Sequence, residues 1–132
     1  MVRRHPNESG YIALLSVLIL GAAAVAICLA LLTTGADSQR SGIVEQQSKQ
    51  ARALATACAQ EALQQIHDNI AFAGSNTLSL GQGSCTYTVV VSAGTTRTVT
   101  ASGTVGVVVR KAQVYVTIGA SSISITSWQE VG

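Results

Sequence analysis

The chain is poor in the side chains that chemistry depends on. It has two histidines, one proline, one phenylalanine and one tryptophan among 132 residues, and only 11% of its residues are charged. His5 lies in the basic opening segment, which leaves His67 alone for the rest of the chain. A nucleophile needs a base within hydrogen-bond reach, and a zinc site needs three or four convergent ligands. His67 beside Asp68 satisfies neither requirement and reads as a solvated helix end, where a histidine suits the negative pole of the helix dipole. Beyond Gly10 the acids are Asp37, Glu45, Glu61, Asp68 and Glu130, with no pairing in the sequence suited to acid–base work. The run GQGSC, residues 81–85, does not open a helix, so it is no phosphate cradle. CxxC is absent, which removes thiol–disulfide exchange chemistry. Net charge is only +2, and no basic stripe is interleaved with aromatics, so nucleic-acid binding is not indicated. The expectation is a protein without enzymatic activity and without a cofactor.

What the chain does have is an oily run, YIALLSVLILGAAAVAICLALLTT from Tyr11 to Thr34, without one charged side chain. As a helix of about 24 residues it spans roughly 36 Å, enough to cross the ~30 Å hydrocarbon core of a bilayer with some tilt. A helix satisfies its own backbone in lipid, and Leu and Ala dominate here with no interior proline. The competing reading is a soluble core helix. Arg3, Arg4 and His5 precede the run, and no Lys or Arg follows until Arg40. By the positive-inside rule the N-terminus is cytoplasmic and the C-terminus outside. The run is too long for an ordinary secretory signal, and AICLALLTTGA is a poor cleavage site. Lipoprotein processing is disfavoured because Ile27, not a small residue, precedes Cys28. A cut ahead of the run, keeping the whole helix, fits the short basic leader ending in Gly10.

RRHPNESG followed by YIALLSVLILGAAAVAI resembles the class III signal of type IV pilins and pseudopilins. The resemblance implies cleavage after Gly10 by prepilin peptidase, methylation of the new N-terminus at Tyr11, and packing of the retained helix among other subunits in a filament core. Two positions depart from the pattern: Tyr11 stands where Phe is usual, and Leu15 occupies the fifth mature position, where major pilins commonly carry Glu. That carboxylate is thought to meet a neighbour's N-terminal amine and offset the burial of both charges. PilX-type minor pilins and the tip pseudopilin of type II secretion also lack it, and the whole chain resembles the PilX-like group best. The resemblance implies an inner-membrane protein, inserted in lipid and then assembled into an extracellular pilus or pseudopilus. Two alternatives stand beside it: a pseudopilin of a type II secretion or DNA-uptake machine, and a monomeric single-pass envelope protein with a small partner-binding domain.

From Ala36 the chain turns polar and keeps a helical pattern. Leu54, Ala55, Cys58, Ala62, Leu63 and Ile66 recur at spacings of three and four on one face. Gly35 and Gly42 are expected bends or hinges. Residues 71–84 read as a loop. CTYTVVV then alternates, with Cys85, Tyr87, Val89 and Val91 on one face. SAGTT marks a turn, and Gly103 with Gly106 a second. Val108, Ala112, Val114, Val116 and Ile118 share a face, and Ile123 and Ile125 point the same way in the last strand. Arg110 falls on the apolar parity, where a snorkelling strand-end residue is the plainer reading.

The expected fold is α+β: a long N-terminal helix packed on a four-stranded antiparallel meander, as in pilin heads. Its parts are a leader at 1–10, a transmembrane or filament-core helix at 11–34, an amphipathic helix at 35–70, the loop at 71–84 and a sheet head at 85–132. Leu54, Ala55, Ala62 and Ile66 would meet Val114, Val116 and Ile118 across the helix–sheet contact. Cys58 and Cys85 fall on the inward face of the helix and at the opening of the first strand. Outside the cytoplasm they can form a bridge worth roughly 3 kcal/mol, and TACAQEAL with GSCTYTV resembles short PilX-like pilins. The alternative is two unpaired cysteines buried as small hydrophobes.

Overall fold

The computed structural model describes residues 6–132. Arg3, Arg4 and His5 of the expected leader lie outside the described residues. The order of elements is α1 (Pro6–Asp68), β1 (Gly74–Leu80), β2 (Gly83–Ala93), β3 (Thr96–Val105), β4 (Val108–Ile118) and β5 (Ile123–Val131). The chain divides into two compact units, Met1–Gly42 and Ile43–Gly132.

Among the described residues of the first unit, 6–42, the structure is helix alone. Its side chains from Gly10 onward are exposed, including Ile12, Leu14, Leu15, Val17, Leu18, Ile19 and Leu20. Helical structure includes Gly35 and Gly42, the positions at which bends are expected.

The second unit is α+β: the outer part of α1 packed on a five-stranded antiparallel sheet of order β1-β2-β3-β4-β5. The helix ends at Asp68, slightly before the expected residue 70. Asn69 closes it: its backbone N–H donates to the Gln65 carbonyl at 3.0 Å, and its side-chain oxygen accepts from the Ala71 N–H at 3.1 Å. Three hairpins turn through two residues each, with Gly81, Gly94 and Gly106 at the first central position and φ of 61°, 48° and 59°. That is the placement a type II′ turn asks of glycine.

Five strands replace the four expected, because the segment read as a loop contains β1. GSNTLSL offers little apolar alternation, and only Gly74 and Leu78 are partly buried in it. An edge strand pairs on one side and covers little core, so backbone bonding to β2, from Gly74↔Val89 to Leu80↔Gly83, holds it instead. The sheet head accordingly begins before Cys85.

The core joins Cys58, Ala59, Ala62 and Ile66 of the helix to Cys85, Tyr87, Val89, Val99, Ala101, Val114, Val116 and Ile118 of the sheet. Two expected inward residues are not covered. Val91 is 47% exposed, in the row it shares with Arg97 and Val116, next to a register shift in β2. Ile125 is 50% exposed because β5 is the outermost strand, at the flank of the helix.

Candidate functional site: an apolar helix and the seam of the head

The first unit presents apolar side chains on all sides, and seven of them lie within the nine residues from Ile12 to Leu20. An all-round apolar helix belongs in lipid or in a bundle of other helices. Its most apolar stretch is wholly uncovered, and the helix is long and apolar enough to cross a membrane. Hydroxyls in this segment bond to their own helix: Ser16 Oγ donates to the Ile12 carbonyl at 2.8 Å, and Thr33 and Thr34 both donate to Ala30 at 2.9 Å. Such back-bonding satisfies a polar group where no water is available. Cys28 is free and exposed here. Tyr11 is exposed, and nothing stands within 4 Å of where a Cβ on Gly10 would be.

The second unit is built on a seam of small residues. Ala51, Ala55, Ala59 and Ala62 are buried at helical spacings of three and four, and alanine lets the helix axis approach the sheet closely. Gly103 of β3 sits directly beneath Ala51 and Ala55. A Cβ there would lie 2.7 Å from the Ala55 nitrogen and 2.9 Å from the Leu54 Cβ, and closer still to the Ala51 carbonyl oxygen. Gly103 is therefore a packing position inside β3, not part of the turn it was expected to mark. Cys58 and Cys85 are joined as a disulfide across this seam, with Cα atoms 6.1 Å apart and both residues buried. Of the residues expected at the helix–sheet contact, Ala55, Ala62, Ile66, Val114, Val116 and Ile118 are buried, and Leu54 packs on the core while partly exposed.

Polar contacts fasten the margins. Arg52 on the helix forms a two-pronged ion pair with Glu130 of β5, and Arg110 Nε donates to Ser48 Oγ at 2.9 Å. Both pairs are exposed, so each adds at most about 1 kcal/mol. Lys49 lies 2.9 Å from Glu45 and holds that carboxyl below its usual range through a hydrogen bond and charge attraction. Arg110 is exposed despite its apolar parity; the buried cation is Arg97, only 8% exposed. Its Nη1 donates to the Gly94 carbonyl at 2.9 Å and its Nη2 to the Ile70 carbonyl at 3.3 Å. The guanidinium thus ties the segment after the helix to the β2–β3 turn. Carbonyl oxygens are a workable cage for a cation because each carries partial negative charge.

Several openings flank the helix. One, of about 410 Å³, is lined by Leu54, Ala57, Leu80, Gly83 and Val105 among others. Another, of about 200 Å³, holds Arg52, Arg110, Lys111 and Glu130. His67 Nδ1 is 3.5 Å from Asp68 Oδ1, and both side chains are well exposed. Among the described residues no three His, Cys, Asp or Glu side chains gather to hold a metal. Arg97, Ala51 and Ala59 are site residues that no motif in the sequence marks, and Gly103 is one that turn composition alone misplaces. The signal for Gly103 was its inward parity in TASGTV, a glycine where alternation calls for an apolar side chain. No protein-family model matches this chain, and no curated protein or solved structure matches it either.

Proposed function

We propose that the protein is a minor pilin-like subunit, held in the inner membrane by its apolar helix, cut after Gly10 by a prepilin peptidase, methylated at Tyr11 and assembled into a type IV pilus by helix packing. The observation that carries this reading is the exposed, all-round apolar helix directly after Gly10, continued in sequence by a helix seated on an antiparallel sheet. The role is mechanical and needs no reaction chemistry or cofactor. The helix leaves lipid for neighbouring subunit helices, where van der Waals packing replaces lipid contact. Its partners are other pilin or pseudopilin subunits, the peptidase and membrane lipid. The disulfide supports the assignment of the head to an oxidising compartment outside the cytoplasmic membrane. Leu15 in place of an acid favours a minor or initiating position over the bulk subunit.

The discriminating variant is Gly10→Leu. A pilin-like subunit should remain at precursor mass and vanish from sheared surface fibres. Unchanged processing and unchanged fibre content would sink the reading in favour of a solitary membrane-anchored protein. A strain lacking the protein that keeps fibres but loses secretion or DNA uptake would move it to the pseudopilins.

A further inference from the structure

The sheet of the second unit ends in two strands with one neighbour each, β1 and β5. Free strand edges are normally guarded by lysine, proline or inward charge, because an unpaired row of N–H and C=O groups recruits another strand. Guarding is light at both edges: on β1 the Asn76 side-chain oxygen accepts from the Thr77 N–H at 2.9 Å, and β5 has one register shift, opposite Tyr115 and Val116, and one charge on its helix side. β1, GSNTLSL, has no charge and no proline; β5, ISITSWQEV, has only Glu130, which is drawn back to Arg52. We propose that the β5 edge of one copy takes the β1 edge of a second copy as its next strand, in parallel, so that the sheet continues from head to head. The proposal rests on the pilin-like reading for one thing: it anchors copies in one membrane with their heads on the same side.

The two edges match in pattern. Register places Ile123, Ile125 and Trp128 of β5 opposite Ile118, Val116 and Val114, hence on the helix side of the sheet. Asn76, Leu78 and Leu80 of β1 lie opposite Tyr87, Cys85 and Gly83, on that same side. The other side holds Ser124, Ser127 and Gln129 in β5, and Ser75, Thr77 and Ser79 in β1. Joined edge to edge, leucines meet isoleucine and tryptophan, while hydroxyls and amides meet on the far face. A slip of one residue would oppose apolar to hydroxyl side chains, so the pattern selects its own parity. Leu80, Ile125 and Trp128 are 45%, 50% and 38% exposed in the single copy, leaving apolar surface for the junction to cover. No uncompensated charge would be desolvated by it.

Direction follows from strand count. Five strands that alternate make β1 and β5 run the same way. Copies related by simple displacement therefore pair these edges in parallel, and their helices all point in one direction, as a common membrane requires. An antiparallel junction would turn one copy end over end. Parallel bonding is slightly weaker per residue, and the contact is small. Seven residues cover a strip about 23 Å long and ~10 Å deep, well short of the ~1,200 Å² of a stable interface. The junction is thus one that forms where anchoring raises the effective concentration, and not between dilute single copies. Because it joins unlike edges, it is heterologous and leads to an open array.

The test is a cysteine cross-linking matrix on the full chain carrying Cys28→Ser. Two differently tagged copies are co-expressed in one membrane. One bears Ser75→Cys, Thr77→Cys or Ser79→Cys, and the other Ser124→Cys, Ser127→Cys or Gln129→Cys. Every combination is oxidised gently and read as mixed-tag dimer on non-reducing gels. All six positions face away from the core, and an intact Cys58–Cys85 bridge in each variant verifies folding. The expected result is an ascending diagonal, early residue with early residue and late with late, about tenfold above the reverse diagonal. A descending diagonal, a flat matrix or no dimer would overturn the proposal. The mature N-terminus is read on the same samples. A cut leader with no diagonal defeats the edge junction alone, whereas a diagonal with an uncut leader defeats the pilin-like reading alone.

Discussion

Gly103→Ala adds a single methyl group at the tightest point of the head. The new Cβ would stand 2.7 Å from the Ala55 nitrogen and nearer than that to the Ala51 oxygen. Both are helix backbone atoms and cannot swing aside as a side-chain tip can. The helix must lift from β3 or β3 must sag, which opens the alanine seam on both sides. Overpacking of a well-filled core costs about 1–3 kcal/mol, and a backbone obstacle belongs at the upper end. Replacing glycine in a strand returns only about 0.5–1 kcal/mol of chain entropy, so the clash wins. For a unit of this size each kcal/mol moves the melting temperature by about 4–8 °C, so the drop should be near 10–15 °C. The assay is thermal unfolding of the full chain in detergent micelles, followed by the fluorescence of Trp128, the single tryptophan, which lies on β5. Gly42→Ala is the opposite-sign control, since nothing stands within 4 Å of its Cβ position. It should leave the melt unchanged or raise it slightly, in keeping with the helix preference for alanine. A Gly103→Ala melt within about 2 °C of the parent would show that the helix is not seated on β3 as described.

Two further outcomes follow from the same seam. Replacing Cys58 and Cys85 together by alanine should cost roughly 3 kcal/mol, since the bridge closes a separation of 27 residues, and denaturant unfolding of oxidised and variant protein measures it. Arg97→Ala should cost about 1–3 kcal/mol by removing the charge-assisted bonds that the buried guanidinium makes to the Gly94 and Ile70 carbonyls, with amide exchange rising first at residues 69–72 and 94–96; Arg97→Lys should recover only part of that loss.

The class of the fold was legible because two periods stand out in the sequence. Spacings of three and four from Leu54 to Ile66, and strict alternation from Cys85 and from Ala112, mark faces that must be buried, and those faces meet in the core. The cysteines were legible for the same reason, both lying on inward positions. β1 was not, because an edge strand is chosen by backbone pairing and its side chains carry little of the core. Arg97 and Arg110 both sit at inward parity, and alternation does not tell them apart. What separates them is the tertiary surround: Arg97 has the Ile70 and Gly94 carbonyls within reach, while Arg110 lies at the start of β4 and reaches out to Ser48. Alternation reveals which face a residue is on, and not whether carbonyls will be waiting there. The exposure of Ile125 and Val91 has a similar origin, since a pattern of period two cannot say how far the covering helix extends.

The central claim is that a short basic leader is removed ahead of an apolar helix that is kept whole. Intact-mass and N-terminal peptide spectrometry on the protein from its native membrane reads this directly. The account predicts a chain that begins at Tyr11 with one added methyl group on its amine. A chain that still begins at Met1, or one cut beyond Thr34, would contradict it.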